Sequence, residues 1–362
     1  MTWSPDNRTI AELLAAAADE QEAGSQRQRA MRRASRAALT WDVTAADLVA
    51  AGLALTQLPR VGPWLAAVIE GWVGEARTAD PPSLRAGFVA RADAARLCAA
   101  APAWRGAVLC DLQMHTLRSD GHASLETMAR RCIELGYRHM AVTDHSEGLR
   151  IAGGMDAATR EAQGAEAATL NTLLGAEGVD FRVLHGIEMN IDPQGEGDTD
   201  PEVLAGLDLV LGAFHSKLRL VEDQTERYIR ALRNPTVDVL AHPRGRIYNH
   251  RLGLTARWDD VFAAAAELGV ALEVDSYPDR QDLDVELLAR AARAGAWIAV
   301  DTDAHHPVDL DAMPIGIAAL ISAGVPRERV LNTLGCDELR DWVACRRARA
   351  ASVAAAARVV LS

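Results

Sequence analysis

Histidine and carboxylate side chains recur in short clusters between residues 110 and 305, and their types suit a divalent metal centre. The densest stretch, residues 110–146, contains Asp111, Gln113, His115, Asp120 and His145. Neutral imidazole and carboxylate oxygen are common protein ligands of Zn, Mn and Fe. Any single histidine of the ten is more often a surface or core residue than a ligand. The clustering, rather than any one residue, therefore predicts the site.

The elements that must position these side chains follow from the apolar pattern between them. Apolar residues at near-helical spacing begin at Leu125 and end at Gly136, which predicts strand, loop, helix, strand and loop across residues 110–146. Further apolar runs that end near a His, Asp or Glu lie at residues 181–191, 207–216, 237–243, 271–276 and 297–305. Strands that alternate with helices pair in parallel, and functional loops collect at their carboxyl ends. We therefore predict a barrel-type α/β fold with seven strands.

The first 80 residues predict a separate, all-helical unit. Its second helix contains Arg27, Arg29, Arg32, Arg33 and Arg36 without an acidic residue among them. A solvated helix face is the ordinary interpretation of such a charge run. Residues 55–73, however, resemble a helix-hairpin-helix, which presents backbone amides to nucleic-acid phosphates. An ordinary helical hairpin remains the alternative.

These patterns divide the chain into four parts. We predict a helical DNA-binding-like domain over residues 1–80, a linker with one helix over 81–105, a barrel domain over 106–346 and a C-terminal helix over 347–362. Asp80, Pro81 and Pro82 interrupt the helical pattern at the first boundary.

The composition narrows the possible partners. A formal charge of −12 argues against nucleic-acid binding over the whole surface, although it allows a local basic face. Five cysteines without regular spacing favour a reducing compartment. Because the chain starts with a polar segment and has no long apolar run, we expect a soluble, cytoplasmic protein without a membrane partner. The sequence does not indicate the oligomeric state.

Several motifs, in the right order, resemble a PHP (polymerase and histidinol phosphatase) domain over residues 106–346, most closely the one attached to bacterial family X DNA polymerases. The motifs are DLQMHTLRSDG, AVTDHS, HGIEMNI, FHS, AHPRGR, EVDSYPDRQDL and DTDAH. The N-terminal region is similar to the helical DNA-binding domain of those polymerases. Too few residues separate the hairpin from the barrel for a polymerase palm, so we expect no nucleotide addition. No lysine precedes Lys217, so we also expect no Schiff-base lyase activity.

The resemblance implies a distorted (β/α)7 PHP barrel that holds up to three divalent ions, which could be Mn, Zn or Fe. One ion would be held by Gln113, His115, Glu188 and Asp303; a second would share Glu188 and add His215 and His242; a third would use Asp120, His145 and His305. Many PHP domains have histidine where this chain has Gln113. An amide oxygen at that position favours a harder ion such as Mn.

The resemblance also implies hydrolysis of a phosphoester by an in-line attack of metal-bound hydroxide, with Glu188 in the catalytic centre. Lys217 and Arg246 are the expected phosphate contacts, and Arg244 and Arg280 are either further contacts or surface ion pairs.

Three functions compete. The leading one is hydrolysis at nucleic-acid 3′ ends, as a 3′-5′ exonuclease or 3′-phosphatase in repair, with DNA bound through the helical domain. A small-molecule phosphomonoesterase acting on histidinol phosphate or a nucleotide is the second. The third is a non-catalytic DNA-binding protein that keeps the metals for stability only.

Overall fold

A seven-stranded parallel sheet forms the centre of the computed structural model, which describes residues 4–361 and side chains through residue 352. The strands are β1 (Cys110–Asp111), β2 (His139–Val142), β3 (Arg182–Ile191), β4 (Leu209–Phe214), β5 (Val239–Ala241), β6 (Ala271–Asp275) and β7 (Ile298–Asp301). They pair in chain order, each neighbour parallel to the next. Most strand residues are buried, as expected for a parallel sheet that is covered on both faces.

The sheet closes on itself beyond the ends of β1 and β7. Met114 and Ala304 form a parallel bridge there, and the N–H of His115 donates to the carbonyl of Ala304 at 2.8 Å. The carboxylate of Asp301 also accepts a hydrogen bond of 2.6 Å from the N–H of Leu112. The predicted seven-stranded α/β barrel is therefore confirmed.

Helices precede the barrel and connect its strands. They are α1 (Asn7–Asp19), α2 (Gln26–Ala38), α3 (Ala45–Ala50), α4 (Pro63–Gly74), α5 (Arg91–Ala100), α6 (Leu125–Glu134), α7 (Ala157–Ala176), α8 (Pro201–Ala205), α9 (Thr225–Arg233), α10 (Trp258–Leu268), α11 (Val285–Arg293), α12 (Met313–Ala323) and α13 (Cys336–Leu361). The predicted helix between the first two strands is α6, which begins where the hydroxyl of Ser124 accepts from the N–H of Thr127. Of the described helices, none has the length and apolar character needed to cross a membrane.

Helices α1–α4 enclose an apolar core of their own. Ile10, Leu14 and Ile69 are fully buried in it, and the indole of Trp41 donates to the carbonyl of Pro59 at 3.1 Å. The first arm of the predicted hairpin is shorter than its apolar pattern indicated, because residues Leu55–Gln57 form a single 3-10 turn ahead of Pro59. A helical N-terminal region is confirmed, whereas the helix-hairpin-helix stays a prediction.

Long-range contacts hold both the helical region and the last helix against the barrel. Tyr248, from a barrel loop, is part of the helical core. At the other end of the chain, the boundary predicted at residue 346 lies inside the continuous helix α13. Arg346 and Arg347 of that helix form ion pairs of 2.8 and 2.6 Å with the buried Asp238, just before β5. Helix α13 is thus fastened to the barrel on both sides of that boundary.

Candidate metal centre

The barrel brings the predicted ligands together at one end. They lie near or just beyond the carboxyl ends of strands β1–β5 and β7, and they include His115, His145, Glu188, His215, His242 and Asp303. Because the strands are parallel, all of these ends meet at the same rim. Residues that are almost 190 positions apart in the chain therefore come into contact.

Glu188 lies at the centre of this group. Its Oε1 is 2.8 Å from Nε2 of His242 and 3.1 Å from Nε2 of His215. Its Oε2 is 3.0 Å from Nδ1 of His145 and 3.3 Å from Nε2 of His115. One fully buried carboxylate thus bridges two pairs of imidazoles, the arrangement expected of a ligand shared between cations.

Asp120 and Asp303 extend the cluster on either side of His115. Oδ1 of Asp120 lies 3.4 Å from Nε2 of both His145 and His305. Oδ1 of Asp303 lies 3.0 Å from Nε2 of His115. Three overlapping groups result, each with ligand atoms within 4.8 Å of one another: His115, Asp120, His145 and His305; His145, Glu188 and His215; and His115, Glu188 and Asp303.

The burial of these groups fits bound cations. Nδ1 of His115, Nδ1 of His145 and Oε2 of Glu188 are buried without a hydrogen bond of normal geometry, although the last two atoms are only 3.0 Å apart. A buried polar atom without a partner is costly, and native proteins rarely tolerate several at one place. Imidazole nitrogen and carboxylate oxygen are ligands of Zn, Mn and Fe. The donor set therefore fits a centre with more than one divalent ion.

The electrostatics of the cluster also favour cations. Burial alone would raise the pKa of Glu188, but His145 and His215 hold that pKa well below its usual range. Burial likewise opposes the charge on His145, yet Glu188 and Asp120 raise its pKa to about 10. The two carboxylates therefore attract positive charge to the cluster, either a proton on His145 or a cation that replaces it.

Further polar residues, which we did not predict, orient the ligands. Oδ1 of Asn190 lies 3.1 Å from Nδ1 of His215. The carboxylate of Asp144 accepts hydrogen bonds from the N–H and hydroxyl of Thr116, at 2.8 and 2.6 Å. The contact of Asn190 fixes the ring of His215, and Asp144 holds the residue that directly follows His115. The position of Asp144 directly before His145 was the available indication in the sequence, whereas Asn190 had none.

Gln113 was predicted to be a metal ligand, but its amide contacts another side chain of the barrel. Its buried amide lies against Glu273 of β6, and with its nitrogen toward that carboxyl group it donates a hydrogen bond of 2.9 Å. Burial, and then the nearby Asp301 and Asp275, raise the pKa of Glu273 well above its usual value. The assignment of Gln113 as a metal ligand stays a prediction.

A cavity of about 250 Å³ opens above the cluster. Arg251 and Arg280 line its walls together with Leu218, and Arg280 also forms an ion pair with Asp303. Ile151, at 96% exposure, stands at the cavity as an apolar side chain in solvent. The cavity therefore combines acidic and imidazole groups, which can hold metal ions, with guanidinium groups, which can contact a phosphate ester.

The four predicted phosphate contacts differ in their placement. Arg280 lines the cavity. Arg246 also lines it, but its guanidinium donates to the carbonyls of Arg280 and Gly87 at 3.0 and 3.1 Å. Arg244 pairs with Asp284 at 2.6 Å, and Lys217 is exposed and not among the lining side chains.

Arg251 was not predicted as a phosphate contact. No motif distinguished it, and only the folded loop that carries it brings it to the cavity.

The fold and the site together define a metal-dependent hydrolase built on a seven-stranded α/β barrel. Residues 111–296 match the PHP domain family. The chain belongs to this family, and it is a metal-dependent phosphoesterase of the PHP type.

Individual relatives share the barrel region. The chain is 39% identical over 239 residues to the "DNA polymerase/3'-5' exonuclease PolX" of Bacillus subtilis (strain 168), an alignment that covers 66% of this chain and 41% of that protein. It is 27% identical over 263 residues to a "Probable phosphatase" of Caldanaerobacter subterraneus subsp. tengcongensis, covering 67% and 93% of the two chains. The chain thus spans about two fifths of the length of the B. subtilis relative.

The solved histidinol phosphate phosphatase (HISK) from Lactococcus lactis subsp. lactis Il1403, complexed with Zn, L-histidinol and phosphate, aligns with a TM-score of 0.46 and 15% identity. That alignment covers 60% of this chain and 95% of the solved one.

Proposed function

We propose that this phosphoesterase hydrolyses phosphoester bonds at nucleic-acid 3′ ends, as a 3′-5′ exonuclease or 3′-phosphatase in repair. The observation that carries the proposal is the pairing of the metal centre with the arginine-lined cavity above it. Two features favour nucleic acid as the substrate. One is the set of exposed arginines on α2, and the other is the 39% identity to a protein named as a polymerase and 3′-5′ exonuclease.

Three sets of residues would hold the ions. The first ion would be bound by His115, Glu188 and Asp303, with Gln113 as a further candidate. The second would be bound by Glu188, His215 and His242. The third would be bound by Asp120, His145 and His305. When bound, such ions supply a deprotonated water at neutral pH and offset the charge on the phosphoryl group.

The residues of the chain itself bind and orient the substrate. Arg280 and Arg251 are positioned to hold phosphoryl oxygens, because a guanidinium can donate two parallel hydrogen bonds to a phosphate. Arg246 supports Arg280 through the hydrogen bond to its carbonyl oxygen. Asn190 keeps the ring of His215 oriented toward Glu188. Lys217 could contact the substrate only from the solvent-exposed side of the site.

Hydrolysis of a 5′-labelled single-stranded oligonucleotide with added Mn tests the proposal. We expect stepwise shortening by the wild-type protein and none by His145→Ala or Glu188→Ala. His122→Ala is the matched control, since His122 is exposed and outside the three ligand groups. An oligonucleotide that stays intact, and that also keeps its 3′-phosphate when it is made with one, would contradict the proposal.

A small-molecule phosphomonoesterase is the second candidate. The volume of the cavity, about 250 Å³, is enough for one phosphate monoester, and the chain is acidic overall. Rapid hydrolysis of a monoester dye, without competition from DNA and with the oligonucleotide left intact, would favour this candidate.

A further inference from the structure

A second cavity, of about 270 Å³, lies where α2 meets the barrel loop of residues 245–253. Its lining includes Arg29, Arg32, Arg33 and Arg36 from the helix, and Tyr248 and Asn249 from the loop. We call this cavity the arginine pocket. It is separate from the metal centre, because none of its lining residues belongs to the ligand groups or lines the metal cavity.

The guanidinium groups of the arginine pocket have few partners within the protein. Among the side chains that the structure describes, no carboxylate lies within 4.0 Å of Arg33 or Arg36 or contributes to the pocket wall. Arg32 has a partner in Asp19 at 3.4 Å, but both side chains are about half exposed, and such pairs contribute little. Four positive charges in one concave site repel one another, and a bound anion relieves that repulsion.

The floor of the arginine pocket is rigid and polar. The hydroxyl groups of Tyr248 and Ser35 lie 3.1 Å apart, and both residues are almost fully buried. The side-chain oxygen of Asn249 accepts from Arg85 at 3.0 Å, and Arg85 in turn is held by the buried Glu12. The exposed arginines therefore surround a fixed, hydrogen-bonding surface rather than mobile side chains alone.

One loop connects the arginine pocket to the metal centre. Ile247 and Arg251 exchange backbone hydrogen bonds of 3.0 and 3.1 Å, and the N–H of Tyr248 donates to the carbonyl of Asp279 at 2.7 Å. Arg251 faces the metal cavity, whereas Asn249 lines the arginine pocket. Because these two residues are only two positions apart, their Cα atoms are at most about 7 Å from each other.

We propose that the arginine pocket binds an internal phosphodiester of a single nucleic-acid strand whose 3′ end lies in the metal centre. This inference rests on the proposed function and adds the path of the strand. Arginine's planar fork matches a phosphate, and each further nucleotide of a strand adds one phosphate. A strand must therefore extend a few nucleotides from its 3′ end before it reaches the pocket, and shorter substrates lose that contact.

Binding of oligothymidylates of two and twelve nucleotides, followed by fluorescence anisotropy, tests the arginine pocket. The full-length protein carries His145→Ala so that the strand is not shortened, and the added substitution is Arg33→Ala. Arg77→Ala is the matched control, because Arg77 is exposed in the helical region but does not line the pocket.

We expect Arg33→Ala to lower the affinity for the 12-mer about tenfold, as the loss of one charge-assisted hydrogen bond would. The slope of log affinity against log salt concentration should fall by about 0.7, the value for one single-strand phosphate contact. The loss for the dinucleotide should be much smaller, and Arg77→Ala should bind both strands like its parent.

Two results would overturn the inference. An equal loss in Arg77→Ala would mean that overall charge, and not the pocket, governs binding. An equal loss for both lengths would mean that Arg33 acts at the 3′ end itself.

Hydrolysis by proteins with an intact His145 separates this inference from the proposed function. If the 12-mer is never shortened and never loses a 3′-phosphate, but Arg33→Ala still weakens its binding selectively, the proposed function fails and the pocket stands. If Arg33→Ala shortens the 12-mer with an unchanged KM, the pocket fails and the proposed function stands.

Discussion

Glu188 links most of the histidines of the metal centre, because each of its two oxygens faces two imidazoles. It is fully buried, and the imidazoles of His145 and His215 hold its pKa well below the usual range. A buried carboxylate of this kind is stable only when positive charge or hydrogen-bond donors surround it.

Glu188→Gln should reduce both metal content and hydrolysis. The amide has one oxygen instead of two and no negative charge, so it cannot bridge two cations. Substitutions that only disturb the support of a ligand cost 10- to 100-fold, and we expect a loss of more than about 100-fold here. Elemental analysis and turnover of a monoester dye measure the two effects. Exposed Glu222→Gln serves as the control, and retention of metal by Glu188→Gln would contradict the bridging role.

His139 shows the opposite use of a histidine, as a neutral residue of the core. It is the first residue of β2, it is fully buried, and neither of its ring nitrogens has a hydrogen-bond partner among the described residues. Burial lowers its pKa to about 4. It is thus uncharged in the folded protein at neutral pH.

His139→Leu should alter the pH dependence of stability. The unfolded chain takes up a proton on this imidazole near pH 6.5, whereas the folded protein does so only near pH 4. The free energy of unfolding should therefore fall as the pH drops from about 6.5 to 4, by up to about 3 kcal/mol from this group. Urea unfolding at several pH values should show that this part of the decline is missing in His139→Leu. Parallel profiles for the two proteins would contradict the assignment.

At the scale of elements, α12 packs closely on β7 and on the end of β6. The closest approach is at Gly316, where a Cβ atom would lie 2.2 Å from Oγ of Ser276 and 2.5 Å from Cγ2 of Val300. Val300 belongs to strand β7, and Ser276 directly follows strand β6. The absence of a side chain at this position sets the distance between helix and sheet.

Gly316→Ala should destabilise the protein even though alanine favours helices. Overpacking of a closely packed core costs about 1–3 kcal/mol. Gly71→Ala in α4 is the matched control, because nothing lies within 4 Å of the added methyl group. That substitution should stabilise the protein by up to about 1 kcal/mol. Chemical denaturation of both variants measures the difference, and equal effects would show that the contact at Gly316 is unimportant.

At the scale of the whole molecule, a buried ion pair between α1 and the segment before the barrel is extended by a hydrogen bond to a barrel loop. The guanidinium of Arg85 makes two contacts with Glu12 of α1, at 2.8 and 2.9 Å, and a third with Asn249 of the barrel loop at 3.0 Å. The aromatic rings of Phe88 and Tyr248 pack edge to face beside it. These contacts keep the arginine pocket next to the metal centre.

Arg85→Met should lower the free energy of unfolding by about 3–5 kcal/mol, because it leaves Glu12 buried without a counter-charge. Changing both residues, in Glu12→Leu with Arg85→Met, should recover most of that loss. Arg130→Ala is the control for an exposed pair, with Glu177 at 2.5 Å, and it should cost far less than Arg85→Met because solvent screens the pair. Unfolding followed by tryptophan fluorescence gives all three values. A double variant as unstable as Arg85→Met alone would contradict this account.

The sequence by itself determined the barrel and the set of residues that meet at its rim. Each strand is a short apolar run, and in a parallel barrel the polar residue after each run must lie at the same end. The resemblance of the motifs to a PHP domain then grouped His115, Glu188 and Asp303, together with Gln113, without any knowledge of distances.

Only the tertiary structure decided which cationic side chains face the cavity. Lys217 has a left-handed backbone conformation, with φ of 57°, and is exposed, while Leu218 takes the place on the wall. Arg251 enters the cavity because contacts with residues far away in the chain hold its loop in place. Spacing along the sequence predicts where a strand ends, but the direction of a side chain in a loop depends on contacts that form only when the chain has folded.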